Sequence, residues 1–308
     1  MNFVVSSDEY AGVREHVIIN FNNFLGKFDS GNIYLHNPPL QISEQIKRLY
    51  PSTEIKYQDY SSITIENLIT LNSTYDSKII GQENVKFDLL QALFPLTRKN
   101  RKKPVVILLY GKSGIGKTET AKLISEVIGE PLFRKQFSMY QNNQFATYLF
   151  GGAHYEKSFA KDLLDRESNV ILLDEFDKAH TSFHSAFYQL FDEGFYEDPN
   201  YSLSLEKSII ICTSNYNNLN EIEEHLGSPI YNRFDKLIQF NDLSNEAKQK
   251  IGEKIFQELS RVYENQLSEE VMQRLSSSYI KCENVRQIYH LIEDTFSLHA
   301  VYGNLKSL

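Results

Sequence analysis

Val105-Val106-Ile107-Leu108-Leu109-Tyr110-Gly111-Lys112-Ser113-Gly114-Ile115-Gly116-Lys117-Thr118 is the stretch on which the fold of this chain turns. Six apolar residues in a row are the mark of a strand buried on both faces. They run into G-x-x-x-x-G-K-T, and good helix formers continue from 117 to 128. Strand, glycine-rich turn and helix in that order build a cradle for phosphate. The glycines let the backbone curl so that several N–H groups point inward, and the helix adds the positive end of its dipole. Gly111, Lys112, Ser113, Gly114, Ile115 and Gly116 would then surround the phosphates of ATP, with Glu119 beside them on the helix. Lys117 would reach the β- and γ-phosphates, and the Thr118 hydroxyl would ligate Mg²⁺. A chance glycine-rich turn has no reason to carry both the strand and the helix.

A second apolar run, 169–173, ends in Asp174-Glu175. This puts two carboxylates at the edge of the sheet where α/β proteins bind ligands. Asp174 is expected to hold Mg²⁺ through its water shell, and Glu175 to polarise an attacking water as general base. An ordinary acid-capped strand end would look the same in isolation; the phosphate loop upstream favours the chemical reading. Further runs at 208–212 and 236–240 alternate with helical stretches at 117–128, 158–165 and 181–193. Such alternation predicts an α/β fold with a parallel sheet and right-handed crossovers. In the third helical stretch, Phe183, Phe187, Leu190 and Phe191 share one face and should pack on the sheet.

Working outward, residues 1–73 read as a small α+β unit without a chemical motif. It has an amphipathic stretch at 13–25, strands at 32–35 and 54–57, and a helix at 42–50. After 240 there is no strand signal, and helices at 246–263, 269–278 and 285–299 form a separate helical domain over 241–308. The middle, 74–240, is the catalytic domain. The chain of 308 residues carries a net charge of −8, which argues against a general nucleic-acid binder. The basic run 98–103 is read as a solvated linker. Cys212 and Cys282 offer no disulfide framework or metal spacing. No apolar run is long enough to span a bilayer, and the expected location is cytoplasmic.

Taken together, these residues resemble the AAA+ superfamily, and the C-terminal ATPase module of the Clp unfoldases and disaggregases in particular. Leu172-Leu173-Asp174-Glu175-Phe176-Asp177-Lys178-Ala179-His180 is similar to the Clp D-E-x-[ED]-K-A-H signature. Lys78-Ile79-Ile80-Gly81-Gln82 resembles the adenine-pocket segment, which implies Ile79 and Ile80 against the base. Cys212-Thr213-Ser214-Asn215 resembles the sensor-1 strand, with Asn215 as sensor. Ser228-Pro229-Ile230-Tyr231-Asn232-Arg233-Phe234-Asp235 resembles the arginine-finger segment, and Asn284-Val285-Arg286 resembles sensor 2. The resemblance covers about residues 74–300. It implies a five-stranded parallel sheet with a small helical lid, and a homo-oligomeric, hexameric ring in which Arg233 acts on a neighbour's ATP. Such a finger is worth roughly a thousandfold or more elsewhere. The plainer readings are an ion pair between Arg233 and Asp235, and a solvated Arg286.

The sequence departs from the Clp pattern at residues 150–157, where the substrate-gripping loop is shortened and its glycines displaced. Tyr155 is there either a gripping aromatic or a locally packed one. The second loop region, 194–207, is trimmed but still reads as a turn between two short strands. The implied function is ATP-driven remodelling of a protein partner, with 1–73 as a candidate partner-binding unit. Two alternatives are an ATP switch of the torsin or loader type, which does not thread its partner, and a nucleic-acid motor.

Overall fold

The computed structural model describes residues 2–28, 31–139, 144–263 and 269–306. The chain starts with β1 (Asn2–Val5), α1 (Glu15–Ile19), α2 (Phe21–Leu25), β2 (Asn32–Leu35) and α3 (Leu40–Leu49). β1 and β2 pair in parallel with Val4 opposite Tyr34. Val5, Tyr10, Ile18, Phe21, Leu25, Ile42 and Ile46 make a small core beneath them. The strand expected at 54–57 is not formed: those residues join no ladder, and the partner of 32–35 is the segment 2–5. Four residues are too short a run for periodicity to reveal.

A helix unforeseen from the sequence follows, α4 (Ile65–Lys78). Thr64 caps it reciprocally: its hydroxyl accepts from the Asn67 backbone N–H at 3.2 Å, and the Asn67 side chain accepts from the Thr64 N–H at 2.9 Å. Ile63, Leu68, Leu71 and Tyr75 pack into the same core as the central sheet. The chain therefore enters the catalytic core before residue 73, where the sequence reading had placed the division.

The succession continues with α5 (Glu83–Leu93), β3 (Val105–Tyr110), α6 (Lys117–Ile128), β4 (Phe133–Gln136), α7 (Gln144–Phe150), α8 (Phe159–Leu164) and β5 (Val170–Asp174). Then come α9 (Tyr188–Glu193), β6 (Phe195–Glu197), β7 (Ser202–Ser204), β8 (Ile209–Thr213), α10 (Leu219–Leu226), α11 (Ser228–Tyr231) and β9 (Lys236–Gln239). The main sheet has the order β4-β5-β8-β3-β9, with every pair parallel. β3, β5 and β8 are buried at every position, as their unbroken apolar runs require. Val105, Ile107 and Leu109 face one core, while Val106, Leu108 and Tyr110 face the other. The fifth strand, β4, lies at an edge and is only partly buried. Phe187, Leu190 and Phe191 belong to the second core and Phe183 packs against it, although this stretch opens as a 3-10 turn before α9.

Helices α12 (Asn245–Val262), α13 (Glu269–Tyr279) and α14 (Val285–Lys306) complete the chain. Ile251, Leu259, Leu275, Tyr279, Ile288, Ile292 and Phe296 bring them onto the first core. Among the described residues no strand follows β9, and no helix is long and apolar enough to cross a membrane.

Candidate functional site

The glycine-rich loop leaves β3 and enters α6 with Gly111, Gly114 and Gly116 at φ of +129°, +74° and +113°. L side chains rarely adopt these values, which is why the loop needs glycine there. Close approach adds to the demand: a Cβ on Gly111 would lie 2.5 Å from the Phe240 carbonyl oxygen. Into the curl folds Lys117, whose Nζ donates to the Gly111 carbonyl at 2.5 Å, the Lys112 carbonyl at 2.6 Å and Asn215 Oδ1 at 3.3 Å. Burial pushes the ammonium down to about 8, with Asp177 and Asp174 opposing. A lysine held in this way gains from the arrival of a polyanion, which would restore the charge that burial penalises.

Asp174 and Glu175 leave the end of β5 as the sequence places them. Asp174 is buried, and both of its oxygens are engaged. Oδ1 accepts the Thr213 hydroxyl at 2.5 Å, and Oδ2 accepts from Arg134 Nε at 3.0 Å and Nη2 at 2.5 Å. Glu175 sits at φ +55°, a sparsely populated conformation for a residue with a side chain. Its N–H donates to Thr213 Oγ1 at 2.9 Å, and its Oε2 accepts from Gln136 Nε2 at 3.0 Å. Hydrogen bonds from Ser138 and Gln136 hold the Glu175 carboxyl below its usual range, against desolvation and with help from Lys178 and Arg134. It is therefore ionised at neutral pH, as a base must be.

Arg134 and Gln136 were not foreseen. They stand two apart on β4, hence on one face of the strand, and Gln136 lies in register with Asp174. The edge strand thus grips both acids. The four residues of the strand, one aromatic followed by three polar, show no alternation that would set them apart from the surrounding loop.

The remaining expected residues divide into those near the loop and those away from it. Ile79 and Ile80 line a cleft of about 250 Å³ together with Gly116, Glu119, Ile251 and Val285. Glu119 pairs with Lys122 at 2.7 Å. The helical segment closes directly on the loop, because the Val285 N–H donates to the Gly114 carbonyl at 2.9 Å. Arg286 stays exposed. Arg233 is held elsewhere in its own chain: its Nε donates to Asp192 at 2.8 Å, Nη1 donates to the Pro229 carbonyl at 2.5 Å, and the guanidinium lies 4.4 Å from the Tyr188 ring centre. None of these partners belongs to the phosphate loop. Asp235, the alternative partner considered for Arg233, instead accepts from the Val106 N–H and from Arg101. Arg101, within the basic run 98–103, is thus engaged by its own chain.

Glycines at positive φ, a buried lysine aimed into their curl, and two adjacent acids at the end of β5 are the donor set that fits a nucleoside triphosphate and a divalent cation. The class is that of a P-loop ATPase. Residues 102–278 match the family described as the AAA domain (Cdc48 subfamily). The chain belongs to that family, as an AAA+ ATPase of the Clp/Hsp100 type. It is similar to the chaperone protein ClpB of Malacoplasma penetrans, 25% identical over 250 residues, covering 72% of this chain and 34% of that protein. It is also similar to the ATP-dependent Clp protease ATP-binding subunit ClpL of Staphylococcus aureus, 29% identical over 239 residues, covering 68% of this chain and 33% of the relative. The chain therefore spans about a third of the length of these relatives. Among solved structures, Hsp104 in a closed state with ATPγS and FITC casein matches with a TM-score of 0.64 and 19% identity. That match covers 98% of this chain and 61% of the other, and it bears on the fold alone.

Proposed function

We propose that this ATPase works as one subunit of a homo-oligomeric ring that remodels a protein partner. Residues up to about 60 would serve as an accessory unit, the segment to 240 as the catalytic domain and 241–308 as a lid. The observation that carries the reading is the bond from Val285 to Gly114, supported by the cleft shared between the loop, Ile79 and α12. A nucleotide seated on the loop meets the helical segment and changes its position, so occupancy is converted into movement. Mg²⁺, held by Thr118 and Asp174, would neutralise phosphate charge as it does in P-loop enzymes generally. Lys117 and the loop amides would bind the phosphates, and Glu175 and Asn215 would hold the attacking water. Arg233, turned away from its own loop, is assigned to a neighbour's ATP, and Arg286 to the closure of the lid.

The test is a pair of variants. Glu175→Gln should bind ATP, turn over at least about a hundredfold more slowly and retain a captured protein partner. Arg233→Ala should bind ATP normally yet lose hydrolysis, and adding a hydrolysis-dead Glu175→Gln subunit with an intact Arg233 should restore part of it. Full activity of Arg233→Ala alone would refute the ring assignment. A second reading, a switch that holds and releases its partner without threading, is favoured by the fixed loop at 150–157 described next. Tyr155→Ala separates the two: a threading machine loses substrate processing while keeping ATP turnover, and a switch loses neither.

A further inference from the structure

Tyr155 is 62% exposed, while His154 beside it is only 7% exposed. The loop that carries them is tied from three sides. Within itself, Ala153 and Glu156 exchange bonds: the Ala153 N–H donates to Glu156 Oε2 at 2.8 Å, and the Glu156 N–H donates to the Ala153 carbonyl at 2.9 Å. From the β6–β7 hairpin, Asn200 Nδ2 donates to the Gly152 carbonyl at 2.9 Å. Gly151, at φ +80°, lies so close to the hairpin that a Cβ would come within 2.6 Å of Pro199 Cδ. From the N-terminal unit, the Val13 carbonyl accepts from His154 Nε2 at 2.6 Å.

The same N-terminal unit also holds the hairpin, since the Leu40 N–H donates to the Asn200 carbonyl at 2.7 Å. It is anchored at the end of α8. Asp165 accepts from the Ser7 hydroxyl at 2.9 Å and from Asn37 Nδ2 at 2.8 Å, and Lys161 pairs with Asp8 at 3.0 Å. Asn37 has a left-handed φ of +45°. The unit therefore bridges the loop and the hairpin together through polar bonds, with Ser7, His154 and Asn200 buried beneath its edge. Interfaces of that composition within a chain open and close more readily than apolar ones.

We propose that the N-terminal unit is a releasable brace: docked, it immobilises the loop bearing Tyr155, and undocked, it frees that loop to engage an extended polypeptide. The idea rests on the remodelling reading for what the loop contacts, and on the bonds above for the brace itself. A gripping loop has to reach out from its domain to meet a polypeptide, and one pinned to a neighbouring hairpin and a separate unit is held back from doing so. Undocking then sets when the ATPase works on a polypeptide, and a protein that binds the N-terminal unit would trigger it.

The test uses the full chain with two variants. Asp165→Ala removes the acceptor of Ser7 and the nearer of the two acceptors of Asn37, whose Nδ2 also donates to the Leu164 carbonyl at 3.4 Å. Asp8→Lys sets two cations together at a side chain that is 94% exposed, so it leaves the cores untouched if the first variant folds poorly. Hydrogen–deuterium exchange should quicken about tenfold at the amides of 151–156 in either variant, with the phosphate loop unchanged. Turnover without polypeptide should stay as in the parent, and turnover with fluorescein-labelled unfolded casein should rise several-fold. Unchanged exchange at 151–156 in both variants would overturn the brace. A freed loop with no response to casein would uphold the brace and count against the remodelling reading.

Discussion

His184 offers a quantitative test of how the core supports the turn that carries Glu175. Its ring is 1% exposed and lies flat on Phe176, with centroids 5.1 Å apart and planes 13° from parallel. Phe176 directly follows Glu175, so the histidine underpins the strained residue that is proposed as the base. Burial pushes the imidazole down to about 4, with the backbone of Leu226 and Phe176 opposing the shift and His180 adding to it. The unfolded chain takes up its proton near 6.5, while the native state stays neutral far lower. Folding therefore holds this stabilisation above about pH 6.5 and loses it progressively as pH falls toward 4. Between about pH 7 and pH 5 the linkage amounts to about 2 kcal/mol, a large part of a typical domain's stability. The perturbation is His184→Phe, which keeps the ring contact and removes the titration. Urea unfolding at the two pH values gives each protein's loss of stability, and subtracting the two cancels the carboxylates common to both. The parent should lose about 2 kcal/mol more than the variant. Acid limbs that run parallel would refute the claim that this imidazole is held neutral by burial.

Three further outcomes follow from the site. Gln136→Leu removes the bond that holds Glu175 toward β4, and losing a bond of about 1 kcal/mol should raise basal turnover up to about fivefold in a steady-state ATPase assay; a fall would mean that Gln136 positions the base instead of restraining it. Gly111→Ala forces a side chain into φ +129° against the Phe240 carbonyl, and should cost about 1–3 kcal/mol by thermal unfolding while weakening ATP at least about tenfold by fluorescent-nucleotide titration. Arg134→Leu leaves Asp174 Oδ2 without its fork, so the urea midpoint should fall by the equivalent of about 1–3 kcal/mol. Arg134→Lys, with a single point charge in place of the fork, should recover only part of that loss.

Legibility in the sequence tracked burial and glycine. β3, β5 and β8 are apolar end to end because they lie between two layers, and each was readable to within a residue or two. The glycines of the phosphate loop were readable because positive φ admits few alternatives. What escaped was structure made by polar residues at the margins. β1 is four residues long with a mixed pattern, and the segment at 54–57 imitated it. α4 announces itself by the Thr64–Asn67 cap and not by a clean apolar stripe, so it was passed over. The plainer alternative for Arg233, an ion pair with Asp235, is not the one that forms: the guanidinium meets Asp192, far away in the chain, while Asp235 is near only in sequence.

β4 is the instructive failure, because its illegibility and its role have one cause. An edge strand has one neighbour and one solvent-facing flank, so it carries polar residues that a central strand would exclude. That freedom is what allows Arg134 and Gln136 to stand at alternate positions and reach Asp174 and Glu175. The opposite face of β4 uses the same freedom: Lys135 meets Asp162 at 2.5 Å, and Tyr148 donates to the same carboxylate at 2.7 Å. Asp162 and the brace's anchor Asp165 are one helical turn apart at α8. A strand buried on both faces could hold the acids or contact α8 through apolar packing, but it could not do both with charge. The polar edge strand therefore links α8, on which the N-terminal unit rests, to Asp174 and Glu175, and a polypeptide engaged at the freed loop would act on the two acids by this route. Lys135→Met, which breaks that link without touching Arg134 or Gln136, should leave basal turnover near the parent value and abolish any rise in turnover that Asp8→Lys produces with casein.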